Sequence, residues 1–173
     1  MNKALSHAWL FSQSRLELIL FATEKCNFRC TYCYEDFAHG AMSPAVRNAV
    51  RELLSRRAPT LAELRISWFG GEPLLARHVL IDIGDHASAL AAAHGFAFSA
   101  GATTNAWFLD LPTAERLLEA GVNQYQITLD GPEEFHNQTR RLANGSVYGT
   151  FSQIWNNIVS LRESSLPVSV TIR

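Results

Sequence analysis

Apolar and polar positions alternate along this chain in two different periods. Five short runs, residues 16–23, 64–69, 96–103, 124–129 and 168–172, are dense in Ile, Val, Leu, Phe and Thr, the composition of strands. Between them, apolar residues recur at helical spacing. Val46, Ala49, Val50, Leu53 and Leu54 share one face of a helix that Ser43 caps and Pro44 opens. A second helix covers 78–93 and closes at Gly95, because glycine accepts the left-handed turn that ends helices. A third follows Asp110, with Pro112 early and Gly121 just past its end. The fourth covers 150–162, with Phe151, Ile154, Ile158 and Leu161 on one face. Strand and helix in alternation predict repeated βαβ units, hence an α/β fold around a parallel sheet with right-handed crossovers. In such folds ligands sit at the C-terminal ends of the strands.

The 173 residues suffice for one globular domain, with a short extension (1–15) ahead of a core (16–173). Hydrophobic residues make up 47% and charged residues 18%, ordinary for a folded protein. A formal charge of −1 without a Lys/Arg cluster excludes a nucleic-acid footprint. The apolar runs are too short to span a bilayer, so no membrane partner is expected. The first residues hold no signal-peptide-like core, which places the expectation in the cytoplasm.

Candidate chemistry concentrates just after the first predicted strand. Cys26, Cys30 and Cys33 are the only cysteines. A disulfide framework needs pairs and a closed structural zinc site needs four ligands, so an odd triplet fits a metal centre with one coordination position left open. Inert buried thiols are the blander alternative, but Lys25, Asn27, Arg29, Thr31 and Glu35 surround these with polar side chains. A disulfide between two of the three, and a zinc-binding structural module recruiting His39 as fourth ligand, stay open on the residues alone.

The spacing Cys26-x3-Cys30-x2-Cys33, with the aromatic Tyr32 before the last cysteine, resembles the signature of the radical S-adenosylmethionine (SAM) enzymes. That resemblance implies three thiolates on three irons of a [4Fe–4S] cluster, with SAM on the fourth. Three later blocks agree with it. Trp68-Phe69-Gly70-Gly71-Glu72-Pro73 follows the second strand and resembles the family's GGE motif. Its glycines let backbone approach a ligand closely, and the Glu72 carboxylate is expected to accept from the ammonium of SAM. Thr103-Thr104-Asn105 after the third strand resembles the TNG segment of peptide-modifying members, whose polar side chains reach toward SAM or substrate. Ala106 stands in the usual glycine's place, which implies a less free backbone there.

After the fourth strand, Thr128-Leu129-Asp130-Gly131-Pro132, then His136, Arg140 and Gly149-Thr150-Phe151, resemble the S-x-D-G-P…H-x3-R…G-T-F run. That run belongs to maturases of the anaerobic sulfatase-activating and ribosomal-peptide-modifying type. Thr128 and Arg140 are the expected partners of SAM's carboxylate, the guanidinium through charge-assisted hydrogen bonds. Asp130 is expected to hold the loop or face substrate.

The resemblance implies a partial (β/α)6 TIM-like barrel of the radical SAM type. It further implies reductive cleavage of SAM to a 5′-deoxyadenosyl radical and hydrogen abstraction from a peptide or protein side chain, with a small-molecule substrate as the alternative. An electron donor such as flavodoxin or ferredoxin is the implied partner. The chain closes on the strand 168–172 with no helix after it. The expectation is therefore the front part of a longer enzyme, truncated after about the fifth strand and incomplete for turnover.

Overall fold

The computed structural model describes residues 12–146 and 149–173, so most of the 1–15 extension lies outside the described residues. The elements follow as β1 (Arg15–Thr23), β2 (Phe28–Cys30), α1 (Pro44–Arg57), β3 (Glu63–Gly70), α2 (Arg77–His94) and β4 (Ala97–Thr104). Then come α3 (Leu111–Glu119), β5 (Val122–Ile127), α4 (Glu133–Thr139), β6 (Arg140–Leu142), α5 (Phe151–Glu163) and β7 (Ser169–Ile172). One sheet runs β1-β3-β4-β5-β7 with every neighbouring pair parallel. This is an α/β architecture built on a five-stranded parallel sheet, in keeping with the partial barrel that the resemblance implies.

The helices begin and end where local chemistry demands. Ser43 Oγ accepts the Val46 N–H and Pro44 opens α1. Asp110 Oδ1 accepts the Thr113 N–H at the start of α3, and Gly95, at φ 75°, ends α2. These are the caps the sequence marks. The start of α5 differs: Asn137, on α4, accepts the N–H groups of Thr150 and Phe151 at 2.8 and 3.0 Å. Its cap comes from another helix and has no local signature.

Parallel strands alternate their side chains across the sheet. Leu64, Ile66, Trp68, Ala100, Ala102, Tyr125 and Ile127 form the core with Leu54 of α1, Leu80 and Ile83 of α2, Leu117 of α3 and Ile154 and Leu161 of α5. The opposite face carries Ser67, Gly101, Thr103, Gln124, Gln126, Ser169 and Thr171, which line an open cavity. A closed barrel fills that space with branched apolar side chains; here the lining is polar.

Strand ends shift by one or two residues from the expectation. The fourth predicted strand, 124–129, is realised as Val122–Ile127, which frees Thr128, Leu129 and Asp130 to leave the sheet as a loop. Three elements carry no period in the sequence: β2, β6 and α4. β2 and β6 pair antiparallel, Phe28 with Leu142, Arg29 with Arg141 and Cys30 with Arg140. Three-residue strands exist only through their partner, and this partner lies far along the chain.

Candidate functional site

The cysteine loop leaves the C-terminal end of β1. Cys26 follows the strand, Cys30 ends β2 and Cys33 lies in the turn beyond, its N–H bonded to the Cys30 carbonyl at 3.1 Å. Cys26 and Cys30 are half-buried and Cys33 is exposed, and all three are free thiols. They line one cavity of about 210 Å³ together with Tyr32, Gly70, Gly71, Thr104, Asn105, Thr128 and Arg140. Residues from five separate stretches of chain therefore meet at the C-terminal ends of β1, β3, β4 and β5.

The disulfide alternative is not realised. The zinc alternative also loses its fourth ligand, because His39 lines a different cavity beside Phe21, Thr23 and Met42. Among the described residues no three His, Cys, Asp or Glu side chains converge on a single ion position. A mononuclear ion requires such convergence, whereas a cluster takes each thiolate on a different iron and so needs donors spaced apart. Burial pushes the Cys26 thiol up to about 11 and raises Cys30 in the same direction. Metal loading must therefore displace protons from these thiols.

The glycine pair of the second block is dictated by packing. Gly70 has φ 108°, and a Cβ there would sit 2.3 Å from the Thr23 carbonyl oxygen. A Cβ on Gly71 would sit 2.3 Å from the Glu24 carbonyl oxygen. What the glycines approach is thus the root of the cysteine loop. Gly71 N–H bonds to Thr23 O and Glu72 N–H to Lys25 O at 3.1 and 2.9 Å, clamping the loop onto the end of β3.

Glu72, expected to meet the ammonium of SAM, is held by partners within the protein. Its side chain is fully buried and does not line the cleft. Oε1 accepts from Leu74 N–H at 2.9 Å and from the Thr104 hydroxyl at 2.7 Å, and Oε2 accepts from Asn105 N–H at 2.7 Å. Burial pushes this carboxyl above the usual range while the three donors pull against it. A carboxylate so enclosed braces the ends of β3 and β4 and has no surface left for an incoming ammonium.

Asn105 is likewise committed. Its Oδ1 accepts the Trp107 N–H at 2.9 Å, and its Nδ2 donates to Asn27 Oδ1 at 2.8 Å and toward Cys26 Sγ at 3.8 Å. Ala106, expected to restrict the backbone, takes φ 60° all the same. Asn157 Nδ2 holds its carbonyl at 2.8 Å and Thr104 Oγ1 holds its N–H at 3.0 Å. Those bonds offset the strain of a left-handed alanine, of order 1 kcal/mol.

Arg140 is only 6% exposed. It donates through Nη1 to the Tyr32 hydroxyl at 2.8 Å, its guanidinium lies 5.6 Å from the Phe28 ring centre, and its Nε has no partner although buried. No carboxylate pairs with it among the described residues, although buried charges are normally paired. Tyr32 in turn donates to Asp130 Oδ2 at 2.8 Å, and Thr139 Oγ1 donates to the same oxygen at 2.9 Å. Burial and the bond to Asp130 raise the Tyr32 phenol, so it stays a donor at neutral pH.

Behind this lies a wire absent from the sequence-based site. His136 Nδ1 accepts the Asp130 N–H at 3.3 Å, its Nε2 meets Thr150 Oγ1 at 3.1 Å, and that hydroxyl donates to Arg140 O at 2.7 Å. These partners assign the neutral Nε2–H tautomer. Burial, then the Arg140 charge, lowers the His136 pKa. The signal was present in the H-x3-R…G-T-F run, where spacing alone gave His136 and Thr150 no partner.

The structure thus gathers the cysteines, Tyr32, Gly70, Gly71, Thr104, Asn105, Thr128 and Arg140 around one cleft. Glu72 and Asp130 stand outside its lining as supports. The fit to a cluster and to the carboxylate of an amino acid rests on two features here, three free thiols and a buried guanidinium that no carboxylate pairs among the described residues.

A family profile described as Radical SAM superfamily matches residues 20–173. Among curated proteins, the GTP 3',8-cyclase of Acaryochloris marina (strain MBIC 11017) is 36% identical over 118 residues, covering 65% of this chain and 34% of that protein. The GTP 3',8-cyclase of Brucella abortus (strain S19) is 28% identical over 167 residues, 92% of this chain and 44% of its own length. The chain therefore spans less than half the length of the curated relatives it matches. Among solved structures, anSMEcpe with bound AdoMet superposes with a TM-score of 0.75 at 23% identity, over 91% of this chain and 43% of that one. At that identity the likeness concerns the fold.

Proposed function

The chain belongs to the radical SAM superfamily, and on that premise we propose that it is the SAM- and cluster-binding core of an enzyme that modifies a peptide or protein side chain. A [4Fe–4S] cluster and SAM are the cofactors of this family. When bound, they supply one-electron cleavage of SAM and removal of a hydrogen atom from substrate. The rest is the work of this chain's own residues.

Cys26, Cys30 and Cys33 hold the cluster. Arg140 and Thr128 take the carboxylate of SAM, and the observation that carries this reading is the buried guanidinium with its unpartnered Nε in the cysteine cleft. The Gly70–Gly71 backbone offers carbonyls to the ammonium, a part that falls to backbone because Glu72 is fully engaged. Tyr32 and Asp130 orient Arg140. Thr104 fixes the Glu72 brace, and Asn105 stands beside Cys26.

Two observations support a peptide substrate: the maturase-like run from Thr128 to Phe151, and a fold shared with anSMEcpe, which has also been solved with bound peptides. A small-molecule substrate is the second reading, favoured by the GTP 3',8-cyclase names of the curated relatives. An electron carrier of the flavodoxin or ferredoxin type is the partner this chemistry requires. As to membranes, no helix among the described residues is long and apolar enough to cross one.

The test is anaerobic reconstitution with iron and sulfide, followed by incubation with SAM, reductant and either candidate peptides or GTP. A brown protein that binds SAM is the expected result, with a change in the mass of a peptide once this core is tested within a chain of its relatives' length. Turnover of GTP with no peptide product would replace the substrate assignment. A colourless zinc protein would overturn the whole reading.

A further inference from the structure

Cys26 is served differently from the other two cysteines. Its sulfur receives the Phe28 N–H at 3.3 Å and faces the Asn105 Nδ2 at 3.8 Å. No side-chain donor reaches the sulfur of Cys30 or Cys33 among the described residues. The amide orientation is fixed by the surroundings. Trp107 N–H donates to Asn105 Oδ1, so Nδ2 must face Asn27 and Cys26, and Asn27 must then present its Oδ1. This leaves Asn27 Nδ2 shut away from solvent without a partner, one residue from Cys26. Buried donors normally find an acceptor, and a cluster held by Cys26 would bring sulfur acceptors beside this one.

We propose that Asn105, oriented by the Trp107 N–H and backed by Asn27, donates one N–H to the sulfur of Cys26 and thereby raises the reduction potential of the bound cluster. The proposal rests on the reading that the cysteine triplet holds that cluster. An N–H bonded to a ligand sulfur stabilises the more electron-rich, reduced state, so the cluster accepts an electron more readily. Asn105 is then a positioning and tuning residue acting through Cys26, anchored from behind by the bond of its own N–H to Glu72.

The experiment uses anaerobically reconstituted protein. The midpoint potential is followed by electron paramagnetic resonance, and the Fe–S(Cys) stretch by resonance Raman in H2O and D2O. Asn105→Ala removes the donor. Asn105→Asp removes it while keeping the oxygen that holds the Trp107 N–H. Both are expected to load as much iron as the parent, to titrate at a more negative potential and to show a smaller D2O shift. The added charge of the aspartate also lowers the potential, so for that variant the isotope shift decides. A fully loaded variant with an unchanged D2O shift would overturn the proposal. Should Asn105→Ala lose its cluster, Asn105→Asp alone decides. A parent protein that binds no cluster would refute the cofactor assignment on which the proposal rests.

Discussion

Tyr32 and Asp130 stand 98 positions apart and are joined by a hydrogen bond of 2.8 Å between phenol and carboxylate. The same phenol oxygen accepts from Arg140 at 2.8 Å. One side chain of the cysteine loop thus fastens that loop to the segment beyond β5 and fixes the guanidinium proposed for SAM. The antiparallel pairing of β2 with β6, which sets Cys30 opposite Arg140, makes the same connection through backbone. Thiols and guanidinium are positioned as one unit, so disturbing either side is expected to reach the other.

Cys30→Ala should abolish stable cluster loading, since two thiolates underligate a cluster built for three. Iron and sulfide analysis after anaerobic reconstitution checks this, and full iron content in the variant would contradict the assignment.

Arg140→Ala should weaken SAM binding by about ten-fold or more, because hydrogen bonds to charged groups are worth about 1.5–3 kcal/mol. Arg140→Lys keeps the charge but loses the planar fork and should recover only part of the affinity. Calorimetric titration of the loaded protein measures both, and unchanged affinity in the alanine variant would remove Arg140 from the site.

Glu72→Ala should act first on stability. It strands the donors of Leu74, Thr104 and Asn105 in a buried place. At about 1–3 kcal/mol for each orphaned group, a loss of about 3 kcal/mol or more is expected, or about 6–12 °C in Tm. Thermal unfolding of the metal-free protein tests this, because a residue that served only SAM would leave that transition unmoved.

Gly71→Ala should destabilise the metal-free fold and loosen the cysteine loop, because the new Cβ would collide with the Glu24 and Lys25 carbonyl oxygens. Both atoms are backbone and cannot swing aside, so the loop root itself must move. A lower denaturant midpoint together with incomplete iron loading is the expected pair of results.

His136 gives the pH dependence. Its pKa is lowered in the folded protein by burial and by Arg140, so the unfolded chain binds the proton more readily. Stability rises with pH where the unfolded state binds more protons. The contribution of neutral His136 is therefore full above the ordinary histidine pKa of about 6.5 and is lost as pH falls below it. Denaturant midpoints measured from pH 7.5 down to 5 should show this loss, and His136→Gln, which cannot titrate there, should flatten it.

Local signals told the sequence reading what it could know. Strand and helix periods, the caps at Ser43 and Asp110, the stop at Gly95 and the spacing of the cysteines all depend on neighbours within a few residues. They placed the four motif blocks at strand ends, and there the structure finds them. What the blocks do to one another was decided only by the tertiary structure. Glu72 reads as a ligand carboxylate in sequence, yet donors more than thirty positions away enclose it. Arg140 becomes a candidate anion-binding group because folding buries it away from any carboxylate among the described residues, and Asn105 faces Cys26 because the end of β4 turns it there. Burial and hydrogen-bond satisfaction are properties of a side chain's surroundings, and these surroundings come from segments far apart in the chain. No local pattern encodes them, so the elements β2 and β6 and the brace beneath the site emerge only when the chain closes on itself.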